Sequence, residues 1–150
     1  MIEVGDKAPE FDLPAAGGVR ASAALLRGRR YALYFYPKAD TSGCTVQAQG
    51  VQENLAALEK AGITVIGISP DPVKKIEAFA KKYGLTFTLA SDADQSLATA
   101  YDAWVEKSMY GRKYMGMERS TFLVSADGTV EAIWRKVKPA EHASLLLGAA

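Results

Sequence analysis

A chain with one cysteine and one histidine is barred from much of the chemistry those residues support. Cys44 has no second cysteine with which to close an internal disulfide. The same count excludes a structural zinc site, which needs four ligands drawn mostly from Cys and His. What remains to a lone thiol is nucleophilic or redox chemistry, and that depends on how much of it is thiolate. A thiol of ordinary pKa, near ~8.5, is about 3% ionised at pH 7. Bringing such a group to ~6 requires about 3.4 kcal/mol, whereas a helix N-terminus supplies at most about 2 kcal/mol. A cation must contribute the rest.

The surroundings of Cys44 suit that chemistry. Tyr36-Pro-Lys-Ala-Asp-Thr-Ser-Gly-Cys44-Thr45 joins an apolar run to the first long helical pattern. In an open α/β sheet this is the carboxyl end of a strand, where active sites collect. It sets Cys44 in the first turn of a helix, where free N–H groups and the positive end of the dipole favour an anion. Thr41, three residues earlier, can place its hydroxyl in the same concavity. Arg119 supplies the cation if the strand beginning at Ser120 lies beside Tyr31–Tyr36, and a guanidinium keeps its proton.

Each of these residues also has a plainer role. A lone cysteine is most often a small buried hydrophobe. Thr41 reads as an N-cap, Pro37 as the stop of a strand, and Arg119 as a surface ion-pair partner of Glu118. His142, in Pro-Ala-Glu-His-Ala near the far end of the chain, is expected to face solvent, which argues against a Cys–His acyl-transfer enzyme.

The elements that must position these residues alternate between strand and helix. Phe11 to Arg20 predicts an early hairpin around Pro14-Ala-Ala-Gly-Gly18, and Ser22 caps a short turn through Leu26. Tyr31–Tyr36 carries no charge and reads as a central strand buried on both faces. Val51, Leu55 and Leu58 define one amphipathic helix between Thr41 and Ala61. Ile63–Ile68 is a second buried strand, and Val73 to Tyr83 a second helix stopped by Gly84. Thr86–Ala90 makes a short strand, and Asp92 or Asp94 caps a helix toward Tyr101. Ser120–Val124, a turn at Ala126-Asp-Gly128 and Thr129–Val137 form a hairpin, and a last helix runs from about Pro139 to Leu147. This order implies an α/β fold of thioredoxin-like type, with helices on both faces of a sheet of parallel strands that ends in an antiparallel pair. No G-x-G-x-x-G or P-loop pattern occurs.

Composition narrows the class further. The 150 residues have room for one domain, 1–150, whose core needs no disulfide or metal. Eighteen Lys and Arg against 17 Asp and Glu leave +1, too little field to gather nucleic acid or anionic lipid. The start of the chain lacks the pattern of a secretory signal, and no apolar run approaches the ~18 residues of a membrane helix, so a cytoplasmic protein in a reducing compartment is expected.

Pro37-x-x-x-Thr41-x-x-Cys44 matches the signature P-x-x-x-T-x-x-C, and the chain resembles the peroxiredoxins, in particular their bacterioferritin-comigratory-protein (Prx Q) branch. The similarity extends over Gly5–Leu13, Gly62–Ser69 and Tyr110-Gly through Glu118-Arg-Ser-Thr-Phe-Leu123. The resemblance implies a peroxiredoxin fold with an N-terminal hairpin. It implies that Cys44 is the nucleophile that attacks hydrogen peroxide or an organic hydroperoxide, that Thr41 hydrogen-bonds the substrate oxygens, that Pro37 shields the pocket and that Arg119 activates the thiol. No metal or organic cofactor is required. Cys44 would become a sulfenic acid.

The chain departs from that branch where a resolving cysteine would stand, at Gln49 and at Ala80, and has Ser42 where proline is usual. The expected enzyme is therefore of one-cysteine type, reduced by an external thiol such as thioredoxin, glutaredoxin or glutathione. The branch suggests a monomer. The other readings are a thioredoxin-fold thiol transferase, disfavoured by the absence of C-x-x-C, and a non-catalytic redox sensor.

Overall fold

The uncharged run at Tyr31–Tyr36 becomes the middle of the molecule. In the computed structural model, which describes residues 1–149, β3 (Arg30–Phe35) lies at the centre of a five-stranded sheet. It pairs in parallel with β4 (Ile63–Ser69), which pairs in parallel with β5 (Thr88–Ser91). On its other side β3 is antiparallel to β8 (Ser120–Val124), followed by β9 (Val130–Trp134). The sheet is thus mixed, in the order β5-β4-β3-β8-β9.

Alternation along β3 sends its side chains to two cores. Tyr31, Leu33 and Phe35 join Phe11, Leu97, Tyr101 and Phe122 on one face. That face is covered by the hairpin β1 (Asp12–Pro14) with β2 (Arg20–Ser22), and by α4 (Ser96–Ala100). Ala32, Tyr34 and Tyr36 join Cys44, Val51, Leu58, Phe79 and Leu146 on the other. Here α1 (Ser42–Glu53), α2 (Leu55–Lys60), α3 (Val73–Tyr83) and α5 (His142–Gly148) form the second layer. Asp92 caps α4 as expected, accepting the N–H groups of Leu97 and Ala98 at 3.1 and 2.8 Å. Among the described residues no helix is long and apolar enough to cross a membrane.

Two elements of the fold depart from the sequence reading. The helix expected over Thr41–Ala61 is two helices, broken at Asn54, whose side-chain amide donates to the Gly50 carbonyl at 2.8 Å. That bond offers the backbone a local alternative to continuing the helix. The segment before Ser120, for which no element was expected, is a hairpin of β6 (Trp104–Met109) and β7 (Arg112–Met117). Its two-residue turn is Tyr110-Gly111, both at positive φ (52° and 77°), the mirror-image geometry that tight hairpins favour. The alternation there is weak because the hairpin packs only its Trp104 and Met117 end into a core.

Gly67 lets the two central strands carry a tyrosine between them. A Cβ on this residue of β4 would lie 2.7 Å from Leu89 Cδ2 and 2.8 Å from the Tyr34 hydroxyl. Gly67→Ala is therefore expected to destabilise the fold by about 1–3 kcal/mol through overpacking, read as a lower urea midpoint at unchanged slope. An unchanged midpoint would show that Tyr34 moves at no cost.

Candidate active site

The chain leaves β3 at Tyr36, turns at the partly buried Pro37 and enters α1 at Ser42. Two acidic residues hold the loop between. Asp71, buried after β4, accepts the Ala39 N–H at 2.7 Å and the Ser69 hydroxyl at 3.0 Å. Asp40 sits at φ 60°, in the left-handed region, and its carboxylate accepts the Tyr83 hydroxyl at 2.6 Å and Lys82 Nζ at 2.9 Å. The loop is thereby tied to α3 as well as to the sheet. The Tyr83 hydroxyl, then Lys82, holds the Asp40 carboxyl below its usual range.

Thr41 occupies the N-cap position with extended backbone, φ −91° and ψ 157°, but its hydroxyl does not cap the helix. It donates instead to the Lys38 carbonyl at 2.8 Å. The expected capping bond is replaced because the loop folds back far enough for a closer acceptor. Thr41 is exposed, and its hydroxyl oxygen retains a lone pair for an O–H donor.

Cys44 is the third residue of α1 and 2% exposed. Arg119 Nη2 donates to its Sγ at 3.4 Å, and Nη1 donates to Gln47 Oε1 at 2.6 Å. Gln47 is itself 1% exposed and lies one turn after Cys44 on the same face of α1. One helix face therefore presents a thiol and an amide to a single planar guanidinium. Gln47 is not among the residues singled out from sequence; its three-residue spacing from Cys44 is the signal that could have found it.

Strand register brings Arg119 to the thiol. Ser120 of β8 lies opposite Phe35 of β3, so the preceding residue stands level with the loop that leaves β3. Gly43 leaves the necessary room: a Cβ there would lie 3.1 Å from Arg119 Nη2 and 3.4 Å from Pro139 Cγ. Glu118, the alternative ion partner of Arg119, faces elsewhere. It accepts the Ser120 hydroxyl at 3.1 Å and lies 3.8 Å from Arg135.

His142 is not on the surface, contrary to the sequence reading. It is 1% exposed, its Nε2 is 2.8 Å from the Thr121 hydroxyl, and its ring lies 4.9 Å from that of Tyr34. The chain enters α5 with this residue turned onto the sheet. Burial, with a smaller effect of Arg119, pushes the imidazole down to about 3, so it is neutral at physiological pH. Burial likewise raises the phenols of Tyr34 and Tyr36 above their ordinary value. Of the residues singled out in the sequence, Cys44 and Arg119 are thus in direct contact, while Pro37 and Thr41 belong to the loop that delivers Cys44. Gln49 is exposed on α1 and Ala80 partly buried on α3. Among the described residues, no three of His, Cys, Asp and Glu are grouped to hold a metal ion.

Two outcomes test this geometry. Gly43→Ala should displace Arg119 and slow alkylation of Cys44 by iodoacetamide at pH 7 several-fold with the fold intact; an unchanged rate would show that the guanidinium contact does not activate the sulfur. His142 has a folded value below its unfolded ~6.5, so the unfolded chain binds the extra proton and stability falls as pH drops from about 6.5 toward about 3. The urea midpoint of the wild type should therefore fall more steeply between pH 6.5 and 5 than that of His142→Gln. Parallel slopes would contradict a buried neutral imidazole.

The AhpC/TSA family model matches residues 4–133. A putative peroxiredoxin bcp of Coxiella burnetii is 46% identical over 147 residues, covering 98% of this chain and 97% of its own length. Peroxiredoxin Bcp of Escherichia coli K12 is 42% identical over 146 residues, covering 97% and 94%. Among solved structures, the bacterioferritin comigratory protein of Xanthomonas campestris superposes with a TM-score of 0.88 at 41% identity, over 93% of this chain and 88% of that one. A PrxQ variant of Xylella fastidiosa gives 0.93 at 33% identity, over 99% and 95%.

Proposed function

Because the chain belongs to the AhpC/TSA family as a peroxiredoxin of the Bcp/Prx Q branch, with the thioredoxin-like fold of that group, we propose that Cys44 is the residue through which it reduces peroxides. The observation that supports this reading best is the 3.4 Å contact between Cys44 Sγ and Arg119 Nη2 at the start of a helix. The guanidinium and the free N–H groups of the first helical turn direct positive potential at that sulfur. Attack on one oxygen of a hydroperoxide forms an S–O bond and breaks the O–O bond. The second oxygen leaves with the electron pair and takes up a proton, as water or an alcohol.

Negative charge grows on the departing oxygen, so donors aimed at it stabilise the transition state more than the ground state. Arg119 and the Cys44 N–H are such donors. Thr41 accepts the peroxide O–H on its hydroxyl oxygen, and donates in turn only if it releases the Lys38 carbonyl. Pro37 closes the loop side of the site. Gln47 holds the second guanidinium nitrogen and so fixes the plane of Arg119.

Catalysis leaves Cys44 as a sulfenic acid. The chain has one cysteine, so an external thiol completes the cycle, and thioredoxin, glutaredoxin and glutathione are the candidate reductants. The enzyme is of one-cysteine type, takes hydrogen peroxide and small organic hydroperoxides, needs no metal or organic cofactor, and works as a cytoplasmic monomer.

Intact-mass measurement tests the cycle. One equivalent of hydrogen peroxide should add one oxygen to the wild type and none to Cys44→Ser, and dithiothreitol should remove it. Arg119→Gln should lower kcat/KM for hydrogen peroxide by about 10²–10³, the loss typical of removing one transition-state donor. Peroxidase turnover by Cys44→Ser would overturn the assignment.

A further inference from the structure

Arg119 has a second exposure that the reaction leaves unused. It lines a groove of about 480 Å³ between the β6–β7 hairpin and the turn after β9, together with Val105, Lys107, Tyr114 and Lys136. Two carboxylates also border this groove, and both are engaged: Glu106 lies 3.6 Å from Lys113, and Glu118 lies 3.8 Å from Arg135 and accepts the Ser120 hydroxyl. Among the described residues, Lys107, Lys136 and Arg119 have no acidic side chain within ion-pair distance. The groove therefore carries three cations without a direct ion-pair partner, against the more distant charge of Glu118.

Both lysines are held in place. Lys107 Nζ donates to the Met117 carbonyl at 2.5 Å, and its stem crosses Gly116, where a Cβ would lie 3.1 Å from Lys107 Cδ. It is half-buried, and desolvation followed by the nearby Arg119 makes its charged form less favourable than usual, an effect that Glu118 and Cys44 only partly oppose. Lys136 stands at φ 51°, a left-handed backbone that a non-glycine residue adopts at a cost of about 1 kcal/mol or more. The next residue, Val137, donates its N–H to the Arg119 carbonyl at 2.9 Å, which fixes this turn against the site. Crowded like charges in a groove are relieved by an anion.

We propose that this groove is a subsite for the carboxylate of a small anionic thiol, gripped by Lys107 and Lys136 while the thiol sulfur reaches Cys44 past Arg119. The inference rests on the reading that Cys44 is resolved from outside the chain. Every turnover then needs an external thiol, whichever peroxide is consumed. In the first step the thiol sulfur bonds to Cys44 Sγ and the S–O bond breaks. The sulfenic oxygen leaves as water, taking the thiol proton. A second thiol then attacks the mixed disulfide, forming a small-molecule disulfide and returning Cys44 to the thiol. Two thiols are oxidised and one sulfenic acid is reduced.

The test uses a matched pair, N-acetylcysteine and its neutral amide. Wild-type protein oxidised with one equivalent of hydrogen peroxide is mixed with each, and the loss of the added oxygen is timed by intact mass. The ratio of the two rates should fall about tenfold or more from wild type to the K107Q/K136Q double variant, and comparing proteins cancels the intrinsic reactivity of each thiol. In the wild type the ratio should also shrink between 0.05 and 0.5 M salt, since screening shortens the reach of the two lysines. A K136Q single variant keeps the comparison available if loss of Lys107 disturbs the hairpin, and should show a smaller fall. Reduction by dithiothreitol with a ratio that neither variant nor salt alters would overturn the subsite and leave the peroxidase reading intact. If dithiothreitol fails as well, external resolution falls, and the subsite with it.

Discussion

One guanidinium holds the site together. Arg119 donates to the only sulfur nucleophile of the chain and to a buried amide one helical turn away, so a strand and a helix meet at a single rigid fork. Lysine could not do this, because a point charge on a flexible stem does not present two parallel donors at fixed spacing. The contact demands that β8 lie beside β3 and that α1 follow β3 closely, and it is least crowded with no side chain at residue 43. The register of the sheet and the glycine meet these conditions.

The scaffold around that fork is unusually polar for a core. On the helical side of β3, the hydroxyls of Tyr34 and Tyr36, Gln47 Nε2 and His142 Nδ1 are buried without a partner among the described residues. Unpaired buried polar atoms cost stability, of the order of 1–3 kcal/mol each where no water reaches them. The aromatic stacking of Tyr34 against Tyr36, Phe87 and His142 offsets part of that cost. A neutral His142 also spares Arg119 a second positive charge behind it, which would weaken its hold on an anion.

The loop bearing Thr41 illustrates how restraint is shared between distant elements. Its backbone is anchored to Asp71 beyond β4, and its Asp40 carboxylate to Lys82 and Tyr83 at the end of α3. Ser42 gives the loop no ring to restrict its backbone, so these polar ties carry its rigidity. The hairpin β6–β7 has a comparable role on the opposite side. It brings the chain to Arg119 and walls the groove beside it, while its outer end exposes Met109 and Tyr110.

Local structure was legible from residue order alone. The uncharged run Tyr31–Tyr36, the glycine stop of α3 and the polar approach to Cys44 each express a preference that neighbours in sequence decide, and so does the N-terminal hairpin. The single cysteine restricted the possible chemistry before any coordinate. Contacts between segments far apart in the chain were a different matter. Gln47 and Arg119 are 72 residues apart, and only the pairing of β8 with β3 shows that they touch. His142 looked exposed because its own segment is polar, whereas the turn into α5 rotates it onto Thr121. The β6–β7 hairpin escaped notice because its strands are mostly exposed and so lack the apolar alternation that burial imposes. Side-chain burial is settled by the whole packing arrangement, and short-range sequence pattern carries that information only where one face of an element is committed to a core.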